Sequence, residues 1–442
     1  MVKMHTKSVC PVCLKVIGAK KNIGADGNIY MIKACPEHGE FSSLIWEGDM
    51  RSYMRWDIEN SVTEPPVNGK SADKGCPNDC GLCGEHLRKG CCMLLELTDR
   101  CDLRCPVCFA AAGEKGAYEL SIDEINRQYD FLMSRGGPFN IQLSGGEPTV
   151  RDDLPEIIKL GISKGFSFFQ LNTNGIRLSR EAGFAAELKA AGLNTVFLQF
   201  DGVTDGVYTA LRGKPLLEEK RRAIENCAKA GLGIVLVPVI APDINDGQIG
   251  EIIRFAIENL PAVRGVHFQP ISYFGRCALK RPAKPITIPK MLRLIEAQTG
   301  GAMKYDDFSG GGAENPYCSF HAEYLRRDDG TLKVLPKKSG GCCCSTSSDD
   351  SRNFVAKQWD GKGETPAGTD SAMCDTSFFD FFLEKARANT FTVSGMIFQD
   401  AYNLDLDRLR RCYICETDSR YGMVPFCAYN LTDINGKALY RK

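Results

Sequence analysis

The sequence predicts an α/β fold: a partial (β/α)6 barrel, with a small metal-knuckle domain ahead of it and a cysteine-rich domain behind. Three observations predict this. Over residues 93–298 short apolar runs of β character alternate with amphipathic helical stretches; 21 cysteines are bunched at metal-ligand spacings; and after about residue 300 the alternation gives way to Gly-, Ser- and Lys-rich loops. Regular strand–helix alternation implies βαβ units, and these build a parallel sheet with right-handed crossovers.

The first domain spans residues 1–60. Cys10-Pro-Val-Cys13 and Cys35-Pro-Glu-His38 flank 21 residues that hold the turn AlaAspGlyAsn (25–28) and the strand-like IleTyrMetIle (29–32). Two knuckles around a hairpin bring Cys10, Cys13, Cys35 and His38 to the corners of a tetrahedron, which suits a mononuclear Zn or Fe. Residues 61–92 are a linker with its own cysteine motif: the polar SVTEPPVNGKSADKG (61–75) runs into CPNDCGLCGEH, with Cys76, Cys80 and Cys83 spaced x3 and x2. His86, or the adjacent Cys91 and Cys92, can close a fourth coordination position. A closed cluster of this kind serves electron transfer or structural stapling.

Six strands are expected in the barrel: MLLELT (93–98), NIQLSG (140–145), FFQLNTNG (168–175), TVFLQFDG (195–202), GIVLVPVI (233–240) and GVHFQPIS (265–272). The stretch SIDEINRQYDFLMSRG between the first two opens with a capping box at Ser121 and Glu124. A barrel of this type carries its site at the C-terminal ends of its strands. There the first strand delivers Cys101, Cys105 and Cys108, whose three thiolates hold three irons of a [4Fe–4S] cube and leave the fourth open. The second strand ends in Ser144-Gly145-Gly146-Glu147-Pro148-Thr149, where glycines permit close backbone approach and a carboxylate can accept from an ammonium group. The alternative for Glu147, a helix N-terminal carboxylate, is outweighed by the two glycines before it. The third ends in Asn172-Thr173-Asn174-Gly175, amides suited to a ribose or a carboxylate, or plain turn residues. Gln199 and Asp201 face the same cavity, and His267 on the sixth strand is either functional or an interior histidine satisfied by the backbone.

Residues 299–442 form the cysteine-rich domain. Cys412, Cys415 and Cys427, with Cys374 or Cys318 as fourth ligand, are a candidate set for another cluster. Cys342, Cys343 and Cys344 diverge as neighbours do, and read as a redox pair or as one ligand among spectators. Cys227 and Cys277 read as small buried hydrophobes.

CDLRCPVC after the first strand, GGEP after the second and NTNG at the third together resemble the radical S-adenosylmethionine (SAM) enzymes, over about residues 90–290. The resemblance implies that Cys101, Cys105 and Cys108 bind the cluster, that its open iron chelates the methionine moiety of SAM, and that reduction releases a 5′-deoxyadenosyl radical that abstracts hydrogen from substrate. It further implies that Gly145, Gly146 and Glu147 face the methionine amine and that Asn172 or Asn174 meets the ribose or carboxylate. One departure is visible: the position before the third cysteine, often aromatic in the superfamily, is Val107, with Phe109 one place later. The wider layout, CPVC…CPEHG, CPxxCGxCxxH, CDLRCPVCFA and PFCAYN (425–430), is similar to the tetraether lipid synthases, the pterin-methylating radical enzymes and their bacterial relatives, some of them selenoproteins. It implies one or two auxiliary iron–sulfur clusters and carbon–carbon bond formation or methylation of a lipid- or pterin-like substrate. Peptide maturation with auxiliary clusters is the alternative enzyme reading, and an iron–sulfur electron carrier the non-enzymatic one. An electron donor such as ferredoxin or flavodoxin is the expected partner.

Bulk composition is that of an ordinary globular protein, with 43% hydrophobic and 25% charged residues. Charges balance at 55 against 55, which argues against a nucleic-acid partner. The longest apolar run, 234–240, is far short of the ~20 residues that span a bilayer, and the start MVKMHTKSVCPVC lacks an apolar signal core. A cytoplasmic, reducing setting is expected, in which bunched cysteines bind metal instead of forming disulfides.

Overall fold

The computed structural model describes residues 4–57, 63–113, 118–311, 314–336, 347, 349–350, 352–353 and 386–441. Cys342, Cys343, Cys344 and Cys374 lie outside the described residues.

The N-terminal unit is an antiparallel sheet of β1 (His5–Val9), β2 (Val16–Ile23), β3 (Ile29–Cys35) and β4 (Gly39–Trp46), in chain order. The β2–β3 turn is closed by Gly24 N–H donating to the Asn28 carbonyl at 2.8 Å, with Gly27 at φ +78° as that tight turn requires. Around the two knuckles a small apolar cluster gathers Cys10, Ile17 and Cys35, joined at its edge by Val12, Cys13 and Phe41, while Ile29 and Trp46 of the same sheet join the main core. Its far end docks on the main body. Trp46 meets Tyr53 of the following helix (Met50–Trp56) edge-on at 5.6 Å, and Tyr53 stacks on Tyr317 at 4.3 Å.

The main sheet carries the six expected strands: β5 (Cys92–Glu96), β7 (Asn140–Ser144), β8 (Phe169–Thr173), β9 (Thr195–Gln199), β10 (Gly233–Val237) and β12 (Val263–Pro270). They are all parallel and adjacent in that order, and the barrel stays open. Between them β6 (Val107–Cys108) and β11 (Val239–Ile240) are two-residue strands, and β13 (Arg276–Cys277) follows β12. Alternation divides each long strand. Met93, Leu95, Ile141, Leu143, Leu171, Val196, Leu198, Ile234 and Leu236 join the large core shared with the helices. Leu94, Gln142, Asn172 and Gln199 lie on the other face, which is markedly polar. The first helix (Ile122–Ser134) starts at the Ser121–Glu124 capping box, with Ser121 N–H donating to Glu124 at 2.8 Å.

Residues after 299 do not stand apart from this sheet. β14 (Ser319–Arg326) and β15 (Leu332–Val334) form a hairpin beside β16 (Thr390–Met396), and β16 pairs in parallel with β12. At the opposite edge β17 (Ile414–Asp418) pairs in parallel with β5 and antiparallel with β18 (Gly422–Pro425). Both edges of the six-stranded core would otherwise expose unpaired N–H and C=O groups; chain from the C-terminal third covers them. Among the described residues no helix is long and apolar enough to cross a membrane.

Candidate functional site

The loop 101–108 leaves the C-terminal end of β5 and is clamped from three sides. Gly146 N–H donates to Thr98 O at 2.7 Å and Glu147 N–H to Arg100 O at 2.9 Å, zipping the end of β7 onto the chain that enters the loop. A Cβ at Gly146 would stand 2.2 Å from Arg100 O, and one at Gly145, whose φ is +123°, 2.4 Å from Thr98 O. The glycines are therefore demanded by backbone contact with the cysteine loop. On its second side β13 pairs with β6, and Arg276 donates to Cys105 O at 2.8 Å. From below, Arg212 donates to Val107 O at 2.9 Å while Asp201 grips its guanidinium with two bonds of 2.7 Å. This ion pair is almost fully buried, and its fork geometry leaves one arm for the loop.

The three thiols are half-buried to buried among Leu103, Ile176, Tyr208 and Leu216. Burial pushes the Cys101 thiol up to about 12 and raises Cys105 as well, so neither is a free nucleophile at neutral pH. Such thiols ionise when bound to metal. Every described cysteine is a free thiol.

Glu147 is buried, and its carboxylate is met by four donors: Thr149 N–H at 3.0 Å, Thr149 Oγ1 at 2.6 Å, Thr173 Oγ1 at 2.7 Å and Asn174 N–H at 2.7 Å. Burial raises its pKa and these bonds oppose the rise. Asn174 in turn donates from Nδ2 to Asp102 Oδ1 at 2.6 Å, so the end of β8 is linked to the cysteine loop. Asn172 accepts from Gln142 Nε2 at 2.8 Å on the polar face. His267 meets Ser394 Oγ at 2.9 Å and stacks on Phe197 at 5.9 Å; burial holds its pKa down to about 4.

Asp102, Arg212, Lys220 and Arg276 were not singled out by sequence. Lys220 is fully buried, donates to Asn174 O, and is lowered to about 8 by that burial. A lysine and an arginine on charged helices read as a solvated face; only the strand-end position of Asp201 signalled a buried partner.

At the N-terminal unit the ligand atoms of Cys10, Cys13, Cys35 and His38 all lie within 4.8 Å of one another. Burial opposes ionisation of Cys35, but N–H groups of Glu37 and His38 and the His38 ring outweigh it and bring the thiol down to about 6. That is the charge state a zinc or iron ligand needs. Seven further cysteines, remote in sequence, influence one another electrostatically, Cys80 with Cys76, Cys83 and Cys415, and Cys412 with Cys415, Cys427 and Cys318, but among the described residues only the four ligands of the N-terminal unit converge within 4.8 Å. His86 Nε2 bonds the Cys412 carbonyl at 2.7 Å; a carbonyl only accepts, so this nitrogen carries the proton and Nδ1 is the one able to ligate. Cys92 faces Gln142, and Cys227 is buried in its helix.

Residues 95–256 match the model of the radical SAM superfamily, and residues 2–47 that of the HMPTM N-terminal zinc ribbon domain. The chain is 37% identical to the 7,8-dihydro-6-hydroxymethylpterin dimethyltransferase of Methanocaldococcus jannaschii, a match covering 97% of this chain and 94% of the relative. The chain belongs to the radical SAM superfamily. Within it, the chain belongs to the pterin-methylating group. It is a radical SAM enzyme, and the superfamily brings with it a [4Fe–4S] cluster and SAM. The GTP 3′,8-cyclase of Paenarthrobacter nicotinovorans is 32% identical over 43% of this chain and 54% of its own length. Among solved structures, Streptococcus suis SuiB bound to its precursor peptide is 19% identical, with a TM-score of 0.41, over 48% of this chain and 46% of that one.

Proposed function

We propose that this radical SAM enzyme methylates a pterin of the 6-hydroxymethyl-7,8-dihydropterin type, with Cys101, Cys105 and Cys108 as the ligands of its SAM-binding cluster. The observation that carries the reading is the polar sheet face beneath the cysteine loop: Gln142, Gln170, Asn172 and Gln199 present amides there, groups that can match the ring nitrogens and carbonyl of a small heterocycle. A long lipid chain would call for an apolar tunnel instead. The similarity to a pterin dimethyltransferase over nearly the whole chain supports the same substrate class.

A cluster held there would, with SAM and one electron, supply a carbon radical able to take hydrogen from an unactivated C–H bond; a second SAM would give the methyl group and leave as S-adenosylhomocysteine, with a second electron from the reductant. The protein's own residues hold that chemistry in position. Arg212 and Arg276 fix the loop carbonyls, so the thiols keep their places when the cluster charge changes. Gly145 and Gly146 bring β7 against the loop, leaving backbone groups at the mouth for the methionine amine. Glu147, with four donors from the ends of β7 and β8, acts as a positioning residue for that mouth, and Asn174 ties it to Asp102. Cys10, Cys13, Cys35 and His38 hold a structural Zn or Fe. Cys76, Cys80 and Cys83, with Cys412, Cys415, Cys427 and Cys318, hold one or two auxiliary clusters that relay electrons from a ferredoxin or flavodoxin.

Anaerobic reconstitution with iron, sulfide, SAM and a low-potential reductant tests this. 5′-Deoxyadenosine is expected together with a methylated dihydropterin detected by mass. A Cys101→Ala, Cys105→Ala, Cys108→Ala protein that still forms 5′-deoxyadenosine would sink the cluster assignment; a wild-type enzyme that leaves every dihydropterin unmethylated would sink the substrate.

A further inference from the structure

Lys220 is a charge in an apolar position. The helix Leu217–Lys229 buries one face, made of Lys220, Ala223, Ile224 and Cys227, so a lysine stands where helical periodicity calls for an apolar side chain. It is 0% exposed. Its ammonium donates to the Asn174 carbonyl and, at 3.4 Å, to Gln199 Oε1, and neither acceptor carries a charge. An ammonium taken out of water and left with neutral acceptors depends on the field of charges farther off. Burial lowers its pKa to about 8, which leaves it mostly protonated at neutral pH.

The charges that act on it lie in and under the cysteine loop. The ammonium stands 5.7 Å from the centre of the Tyr208 ring, and Tyr208 packs in one cluster with Leu103 and Cys105, with Cys101 and Cys108 at its edge. Tyr208 therefore adjoins both the cation and the thiols. Asn174, which takes the ammonium on its carbonyl, holds Asp102 of the loop with its side chain at 2.6 Å. The charged groups felt by Lys220 are Asp201, Arg212, Glu147 and Cys105. Asp201 is engaged by Arg212 through two bonds of 2.7 Å, and Glu147 by its four donors. Two buried cations thus face two buried carboxylates. A [4Fe–4S] cube on three thiolates is itself an anion, because the thiolates outweigh its core charge, and reduction makes it more so. Without Lys220 the cations beneath that anion no longer match the carboxylates.

We propose that Lys220 sets the reduction potential of the barrel cluster, its buried ammonium stabilising the reduced state through space from behind the Tyr208 ring. The step it favours is the arrival of one electron from a low-potential donor at the oxidised cube; no bond breaks and no proton moves. The inference rests on the cluster assignment above and adds the residue that tunes it.

EPR-monitored redox titration of the reconstituted full-length enzyme tests this. It is run without SAM and followed on the reduced-cluster signal that changes when SAM is added afterwards, with iron counted in each protein. Lys220→Met keeps the length and the apolar stem and removes the charge. At a fixed potential its ratio of reduced to oxidised cluster should fall roughly tenfold, the order of effect of one unit charge in a protein interior, which places the midpoint about 59 mV lower for one electron. Lys220→Gln can still donate to Asn174, and its ratio should fall as far. Iron-replete Met and Gln variants that titrate with wild type overturn the proposal and leave the cluster assignment standing, whether or not they bind SAM more weakly. So does a Gln variant at the wild-type potential beside a shifted Met variant, for then the hydrogen bond matters and the charge does not. A wild-type enzyme with no reduced signal that responds to SAM overturns both.

Discussion

Single residues at the barrel mouth act through contacts that their chemistry alone does not announce. Gly145 and Gly146 were legible as positions of close approach, because only glycine permits it. What they approach, the Thr98–Arg100 backbone, was not legible, since a contact made by a missing Cβ leaves no partner in the sequence. The same holds for Arg212, whose partner Asp201 lies eleven residues away on a different element. His267 offers a residue-scale test. Burial keeps its ring neutral down to about pH 4, whereas an unfolded histidine titrates near ~6.5. Below that pH the unfolded chain takes up a proton that the native ring refuses, so stability falls as pH drops from ~6.5 toward 4 and levels off beneath. Replacing the ring removes this contribution. The loss of melting temperature between about pH 7 and about pH 5 should be smaller for His267→Gln than for wild type; equal losses would mean that the native ring titrates as the unfolded one does.

Elements were legible where a local pattern sufficed. All six barrel strands are short apolar runs, five of them closed by Gly, Asn or Pro and the first by Asp99, and the Ser121–Glu124 box marks its helix start to the residue. β16 and β17 escaped because TFTVSGM and ICETD carry polar side chains on the inner face, and a strand with Glu at its centre does not read as buried. The four-stranded N-terminal sheet presents the opposite case: its pattern is clear, but at the knuckle end its apolar cluster is small. A metal held by Cys10, Cys13, Cys35 and His38 would add to that core. Cys35→Ser is expected to cost one equivalent of zinc or iron per chain and to open residues 10–38 to limited proteolysis, while the iron of the barrel clusters stays. A ribbon that resists the protease as wild type does would show that packing against Trp46 and Tyr53 is enough.

At the scale of the whole molecule, the C-terminal third is structural framework for the barrel. β16 and β17 occupy opposite edges of the parallel core, and Tyr440, near the end of the chain, accepts from Cys80 N–H at 2.9 Å. Ending the chain after residue 389 should therefore do more than remove auxiliary cysteines. It leaves both core edges unpaired, and the product should be insoluble or bind hydrophobic dyes strongly, with little iron at the first cluster. A soluble truncated protein with that cluster intact would restore the picture of a separable C-terminal domain.

The pairing of β17 with β5 also imposes an order in time. Synthesis at ~5–20 residues per second leaves roughly 15 to 60 s between the emergence of the two strands. Throughout that interval the thiols of the 101–108 loop sit on a strand that still lacks its outer neighbour. A cluster held by that loop would gain its full setting only once β17 has paired with β5.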